Sequence, residues 1–147
     1  MSLTQGATNT FKTGLANGTF SFSNTGDTSY RIALYTGSAN LGPDTTTYTS
    51  SGEASGGSYV AGGATLTITQ VPTLGNQTGS TAAAYWSFAN VTWTGAITAR
   101  GALIYKYNGT TNPTVCVLDF GSDKTSANTF VVQFPTSSFS TAILRIA

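Results

Sequence analysis

The chain has 147 residues, of which 39% are hydrophobic and 12% aromatic, yet only 7% carry charge, for a formal net charge of +1. That size and apolar content suffice for one domain, residues 1–147, around one core, and exclude a chain disordered by composition. The six Lys and Arg are scattered rather than clustered, which excludes a phosphate-neutralising surface, and no apolar run approaches the ~20 residues that span a bilayer; neither nucleic acid nor membrane is an expected partner.

In chain order, residues 1–18 form a short N-terminal segment. Within it Ala7 to Ala16 reads as a short helix, with Phe11 and Leu15 at i and i+4 and Asn17-Gly18 as a stop, although its threonines suit a strand nearly as well. Thr19 to Ser23 alternates Phe20 and Phe22 and predicts a strand. Tyr30 to Tyr35 and Thr65 to Gln70 predict two more. Tyr85 to Trp93 shifts phase between Phe88 and Val91, which predicts a bulge or two short strands. Ala102 to Tyr107 and Thr114 to Phe120 flank the turn NGTTNP. Asn128 to Phe134 follows the turn GSDKTSA and stops at Pro135, and Thr141 to Ile146 closes the series. Seven or eight short strands with turns between them predict an all-β fold, an antiparallel β-sandwich of immunoglobulin-like or jelly-roll-like kind. Leu103, Tyr105, Val115, Val117, Val131, Phe134, Ile143 and Ile146 are the expected core-facing residues of the C-terminal third.

One stretch breaks the pattern. Ala39 to Gly63 is a long Gly/Ser/Thr-rich loop without periodicity, and structureless loops beyond about 12–15 residues are uncommon in compact domains unless functional or disordered. A pure spacer needs no tyrosine. Asp44, Tyr48, Glu53 and Tyr59 therefore mark this loop as a candidate partner-binding element, its tyrosines docking on a surface of the chain itself or of a neighbour. An arm of that kind is expected to be cut by protease between Gly42 and Gly62 when free and protected when assembled.

The chemical inventory argues against an enzyme. Histidine is absent, so the usual general base, the commonest metal ligand and every Ser-His-Asp or Cys-His arrangement are missing. Cys116 sits in the apolar run TVCVLDF and reads as a small buried hydrophobe, with no disulfide possible within the chain. The carboxylate pairs a hydrolase could use are Asp119 with Asp123 and Asp44 with Glu53, and both read more simply as turn-forming residues. No closely spaced acids suggest calcium. No catalytic residue, metal or cofactor is expected. Asp119-Phe120-Gly121 and the glycine-rich GGSYVAGG lack the contexts that would make them nucleotide motifs. Four Asn-X-Thr triplets, at Asn17, Asn76, Asn90 and Asn108, are what a chain this rich in both residues contains by chance. Tyr35, Tyr48, Tyr59, Tyr85, Trp86 and Trp93 could form a sugar-stacking surface if exposed, though core or interface packing is the commoner use of such residues.

The low charge departs from the roughly one quarter usual in soluble proteins, and it suits a protein packed into an assembly or working outside a cell. The N-terminus, MSLTQGATNTF, shows no basic-then-apolar leader, so no recognisable export route is expected. The segment YRIALYTGSANLGPDTTTYTSSGEASGGSYVAGGATLTI, with GALIYKYN, VLDFG and STAILRI later, resembles a group of small virion structural proteins of tailed bacteriophages. The resemblance spans most of the chain and implies a particle component made in the bacterial host cytoplasm. It would contact the major capsid protein or tail proteins and act as a homo-oligomer. A capsid decoration, or cement, protein is the first expectation. A tail- or fibre-associated structural protein or adhesin binding host surface glycan is the second.

Overall fold

The computed structural model describes residues 2–75 and 82–146; the triplet beginning at Asn76 lies outside them. The chain enters through a two-residue strand, β1 (Gly6–Ala7), and turns at Thr8 into the helix α1 (Asn9–Asn17). Thr8 is an effective N-cap: it is extended and its Oγ1 accepts from the Phe11 amide. Gly18 closes the helix in the left-handed conformation. Helix therefore prevails over strand in this segment, because both caps are in place and Phe11 gains a buried seat.

Among the described residues nine more strands follow and build the two sheet layers of a sandwich, with β2 at Tyr30–Tyr35, β3 at Ala64–Leu66, β4 at Ile68–Gly75, β5 at Ala83–Phe88, β6 at Val91–Thr94, β7 at Ile97–Lys106, β8 at Thr114–Ser126, β9 at Thr129–Val132 and β10 at Leu144–Ile146. One layer is a five-stranded sheet in the order β1-β8-β7-β2-β3; the other holds β10-β5-β4 and the pair β6-β9. Every strand pairing is antiparallel. The expected all-β sandwich is thus present. The break at Thr67 lets one extended segment serve both layers, β3 pairing with β2 and β4 with β5. The phase shift near Phe88 resolves into two strands, β5 and β6.

The main core lies between the layers. Ile32, Leu34, Ile104 and Val115 from the five-stranded sheet meet Ile68, Trp86, Phe88, Trp93 and Phe130 from the other. Full burial of one such aliphatic side chain is worth roughly 1.5–3 kcal/mol. Phe20 and Phe22 belong here too, but Thr19 to Ser23 is not a strand. The alternation correctly marks both rings as buried, Phe11 packing edge-on to each, while the backbone finds no ladder partner.

Two other expectations are corrected. The turn placed over GSDKTSA is strand: β8 continues to Ser126 by absorbing extra residues opposite Arg100, between the pairs Gly101↔Asp119 and Ala99↔Lys124. Gly121, at φ 80°, supplies the left-handed residue such a bulge uses. In β9 and β10 the inward register is also shifted by one: Phe130, Val132 and Leu144 are buried, whereas Val131 and Ile146 stand half exposed and Ile143 is only partly covered. Leu103, Tyr105, Val115, Val117 and Phe134 are buried as expected.

Candidate partner-binding surface

A second, smaller core lies on the far side of the five-stranded sheet. Ala33 and Tyr35 of β2, Leu103 and Tyr105 of β7 and Val117 of β8 project there, and Ala39, Leu41 and Tyr48 of the long loop cover them. The loop is therefore a third layer. Its tyrosines dock on the chain's own surface.

The loop is stitched down at several points by its backbone. Its Thr46 carbonyl accepts from the Thr114 amide, and the Tyr48 amide donates to the Asn112 carbonyl. Where β3 leaves the edge of β2, residues 52–54 replace it: Thr36 donates to the Gly52 carbonyl and Ala54 donates to the Leu34 carbonyl. The small residues have a steric purpose here. Gly63 lies so close to β2 that a Cβ would sit 1.9 Å from the Ile32 carbonyl oxygen, and its φ of 79° is itself left-handed.

Glu53 is the centre of this layer. Its carboxylate accepts from the Tyr48 hydroxyl at 2.6 Å, the Tyr59 hydroxyl at 2.5 Å and the Gly62 amide at 2.7 Å. The Tyr59 hydroxyl in turn accepts from the Leu34 amide, at 2.9 Å, and its ring packs against Trp93. Tyr105 donates to the Gly62 carbonyl and Tyr35 donates to the Thr49 carbonyl, both at 2.6 Å. Burial, with the nearby Glu53 charge as a further cause, pushes the Tyr35, Tyr48 and Tyr59 phenols above their ordinary range, so each is held as a neutral donor.

Of the four residues expected to bind a partner, three therefore face one another. Tyr48, Glu53 and Tyr59 are partly buried in one network; Asp44 stands apart and exposed, accepting from the Asn9 side chain at 2.8 Å beside the start of α1. Tyr35, Tyr105 and Gly62 complete the network, and their sequence positions alone do not mark them as members. The outward side of the layer is mostly serine, threonine and glycine, joined by Asn40, Asp44 and Ala61, with Val60 its most exposed large apolar side chain at 69%. Asp44 is its one outward charge.

Two of the remaining carboxylates, Asp27 and Asp119, also have local partners. Asp119 accepts from Arg100 Nε at 2.9 Å, and this hydrogen bond holds its carboxyl below the usual range. Asp27 accepts from the amide and hydroxyl of Ser29. Among the described residues no three His, Cys, Asp or Glu converge as metal ligands would. Cys116 is a buried free thiol, its pKa pushed up to about 12 by desolvation. The aromatics considered for sugar stacking do not line a surface: Tyr35, Trp86 and Trp93 are core residues, and Tyr48, Tyr59 and Tyr85 are partly covered. The exposed rings among the described residues are Phe139 and Tyr107, and on Tyr107 the Arg31 guanidinium rests 3.7 Å from the centroid. No family model, no curated protein and no solved structure matches this chain.

Proposed function

We propose that this protein is a non-enzymatic structural component of a tailed-bacteriophage particle, a capsid decoration protein that rests against capsid subunits through the Ala39–Gly63 layer. The observation that carries the reading is the state of that layer. It is folded before any partner arrives, with Tyr48, Glu53 and Tyr59 spent on holding it down. A preformed surface avoids the ordering cost, about 1–2 kcal/mol per residue, that a floppy arm would meet on binding. Its near lack of outward charge spares the desolvation of ions in a close protein contact. Repetition over a lattice multiplies weak contacts into firm attachment.

The resemblance of the IALYT and GEASGGSYVAGG segments to phage virion proteins supports the same reading. A glycan adhesin on the tail draws less support, because the rings it would use are buried or partly covered. Mass spectrometry of purified particles, with copy number scaled to the capsid subunit, is the test. Abundance comparable to that subunit is the expected result. Absence from particles overturns the proposal, and a small multiple of three or six moves the protein to the tail.

A further inference from the structure

We propose that the free edge of β9 is a self-pairing surface, on which a second copy of this chain adds its own β9 antiparallel about a two-fold axis. Three observations carry this. First, the edge is open. Among the described residues β9 pairs only with β6, and β8 beyond the two residues that meet β1 pairs only with β7. The two strands leave the turn at residues 127–128 into different layers, and the side of the sandwich gapes between them. That opening is about 480 Å³, with Phe120 and Phe130 on its floor, ring centroids 6.4 Å apart.

Second, the strand itself carries few of the usual protections; its shortness, four residues, and Lys124 of β8 beside the opening are the ones present. Natural edge strands are blunted by charge, proline or a covering segment. Asn128 to Phe134 reads NTFVVQF, without a charge or a proline, and Val131 presents a half-exposed side chain at its centre, 50% accessible. Unpaired backbone N–H and C=O groups along an edge select an extended polypeptide as their complement.

Third, the sequence is compatible with itself. A two-fold register centred on Val131 sets Val131 against its copy and Thr129 against Gln133, so no like charges oppose. A pair of short strands buries less than the ~1,200 Å² of a stable dimer, so the association is weak and depends on concentration. The inference stands on β9 alone and does not depend on the virion reading.

Sedimentation of the full chain over a concentration series tests it without any particle present. The wild type is expected to pass from monomer to dimer as concentration rises. Val131→Lys and Val131→Glu, at a half-exposed position where the fold tolerates charge, are each expected to stay monomeric, and an equal mixture to dimerise at lower concentration than either alone. Amide exchange at residues 129–133 should slow with concentration in the wild type only. Monomer at all concentrations, unimpaired dimerisation of Val131→Lys, or an oligomer without two-fold symmetry overturns the proposal. So does a wild-type monomer whose attachment to particles is lost in Val131→Lys, which would assign the edge to a foreign strand.

Discussion

The ring of Tyr48 stacks on that of Tyr105, with centroids 4.9 Å apart and planes 25° from parallel. One residue comes from the long loop and the other from the central strand β7, so the contact fixes where the loop lies. The hydroxyl of Tyr48 then reaches Glu53, five positions along, and the loop closes on itself.

Glu53→Gln should therefore loosen the whole layer. The amide offers one oxygen where the carboxylate served two phenols and a backbone amide, and it brings an NH₂ group toward donors. A loss of about 1–3 kcal/mol in urea unfolding is expected, as for a buried network left partly unsatisfied. Tyr59→Phe should cost a comparable amount, about 1–3 kcal/mol: the ring stays against Trp93, but the buried Leu34 amide and one Glu53 oxygen lose their partner.

Limited proteolysis of the isolated protein separates a packed layer from a floppy arm. Composition alone leads one to expect cutting between Gly42 and Gly62. The backbone hydrogen bonds of residues 46, 48, 52 and 54 and the Glu53 network lead to resistance instead. Wild-type protein should survive under conditions that nick Glu53→Gln within residues 42–62. Rapid cleavage of the wild type there would show that the layer opens readily.

Gly63→Ala should be among the most damaging single methyl additions. The new Cβ combines a left-handed φ with a backbone collision against Ile32, and neither partner is a flexible side chain. Gly109→Ala is the control: its φ of 76° is similar, but the added carbon meets open space. The control should cost about 1–2 kcal/mol from conformation alone, and Gly63→Ala clearly more, both read from thermal or urea midpoints.

Alkaline stability follows from the phenols. Burial raises the Tyr35 and Tyr59 pKa values in the fold, so the folded state keeps protons that the unfolded chain releases near its ordinary tyrosine value of about 10. Stability is then fully present below that value and falls as pH rises above it. The expected slope is about 1.4 kcal/mol per pH unit for each tyrosine still neutral in the fold. Urea midpoints measured with tyrosinate absorbance across this range should show late, cooperative ionisation coincident with unfolding. Independent early ionisation of all seven tyrosines would contradict it.

Cys116 offers a simple probe of integrity. Its burial and raised pKa predict negligible alkylation by iodoacetamide in the native state and full reaction in denaturant.

Much of the architecture is legible in the residues. Tyr30 to Tyr35 is β2 residue for residue, and the phase slip after Phe88 marks the passage from β5 to β6. The failures have physical causes. Phe20 and Phe22 alternate because both are buried, and burial without a neighbouring strand is not a ladder. From Phe130 to Phe134 the alternation sets Phe130, Val132 and Phe134 on one side and Val131 with Gln133 on the other, so the period does mark the inward side; Val131 and Phe134 cannot both face in, and it is Val131 that stands out. The site is half legible in the sequence: Tyr48, Glu53 and Tyr59 punctuate the loop, but Tyr35 and Tyr105 read as ordinary strand residues. The signal that could have found them is in YRIALY and ALIYKY, which hardly alternate. Strands apolar on both faces need cover on both faces, and the loop is the segment free to provide it.

That coverage bears on how the protein can be engineered. The stretch from Ala39 to Gly63 has the composition in which an epitope or fluorophore is usually inserted, but its inner side shuts water away from β2 and β7. Foreign peptide spliced there would pry a lid from the molecule. The exposed turn at Asn108–Thr111 is held chiefly by Asn108 and Asn112 and covers no core residue, and that is where a label can be carried without disturbing the rest.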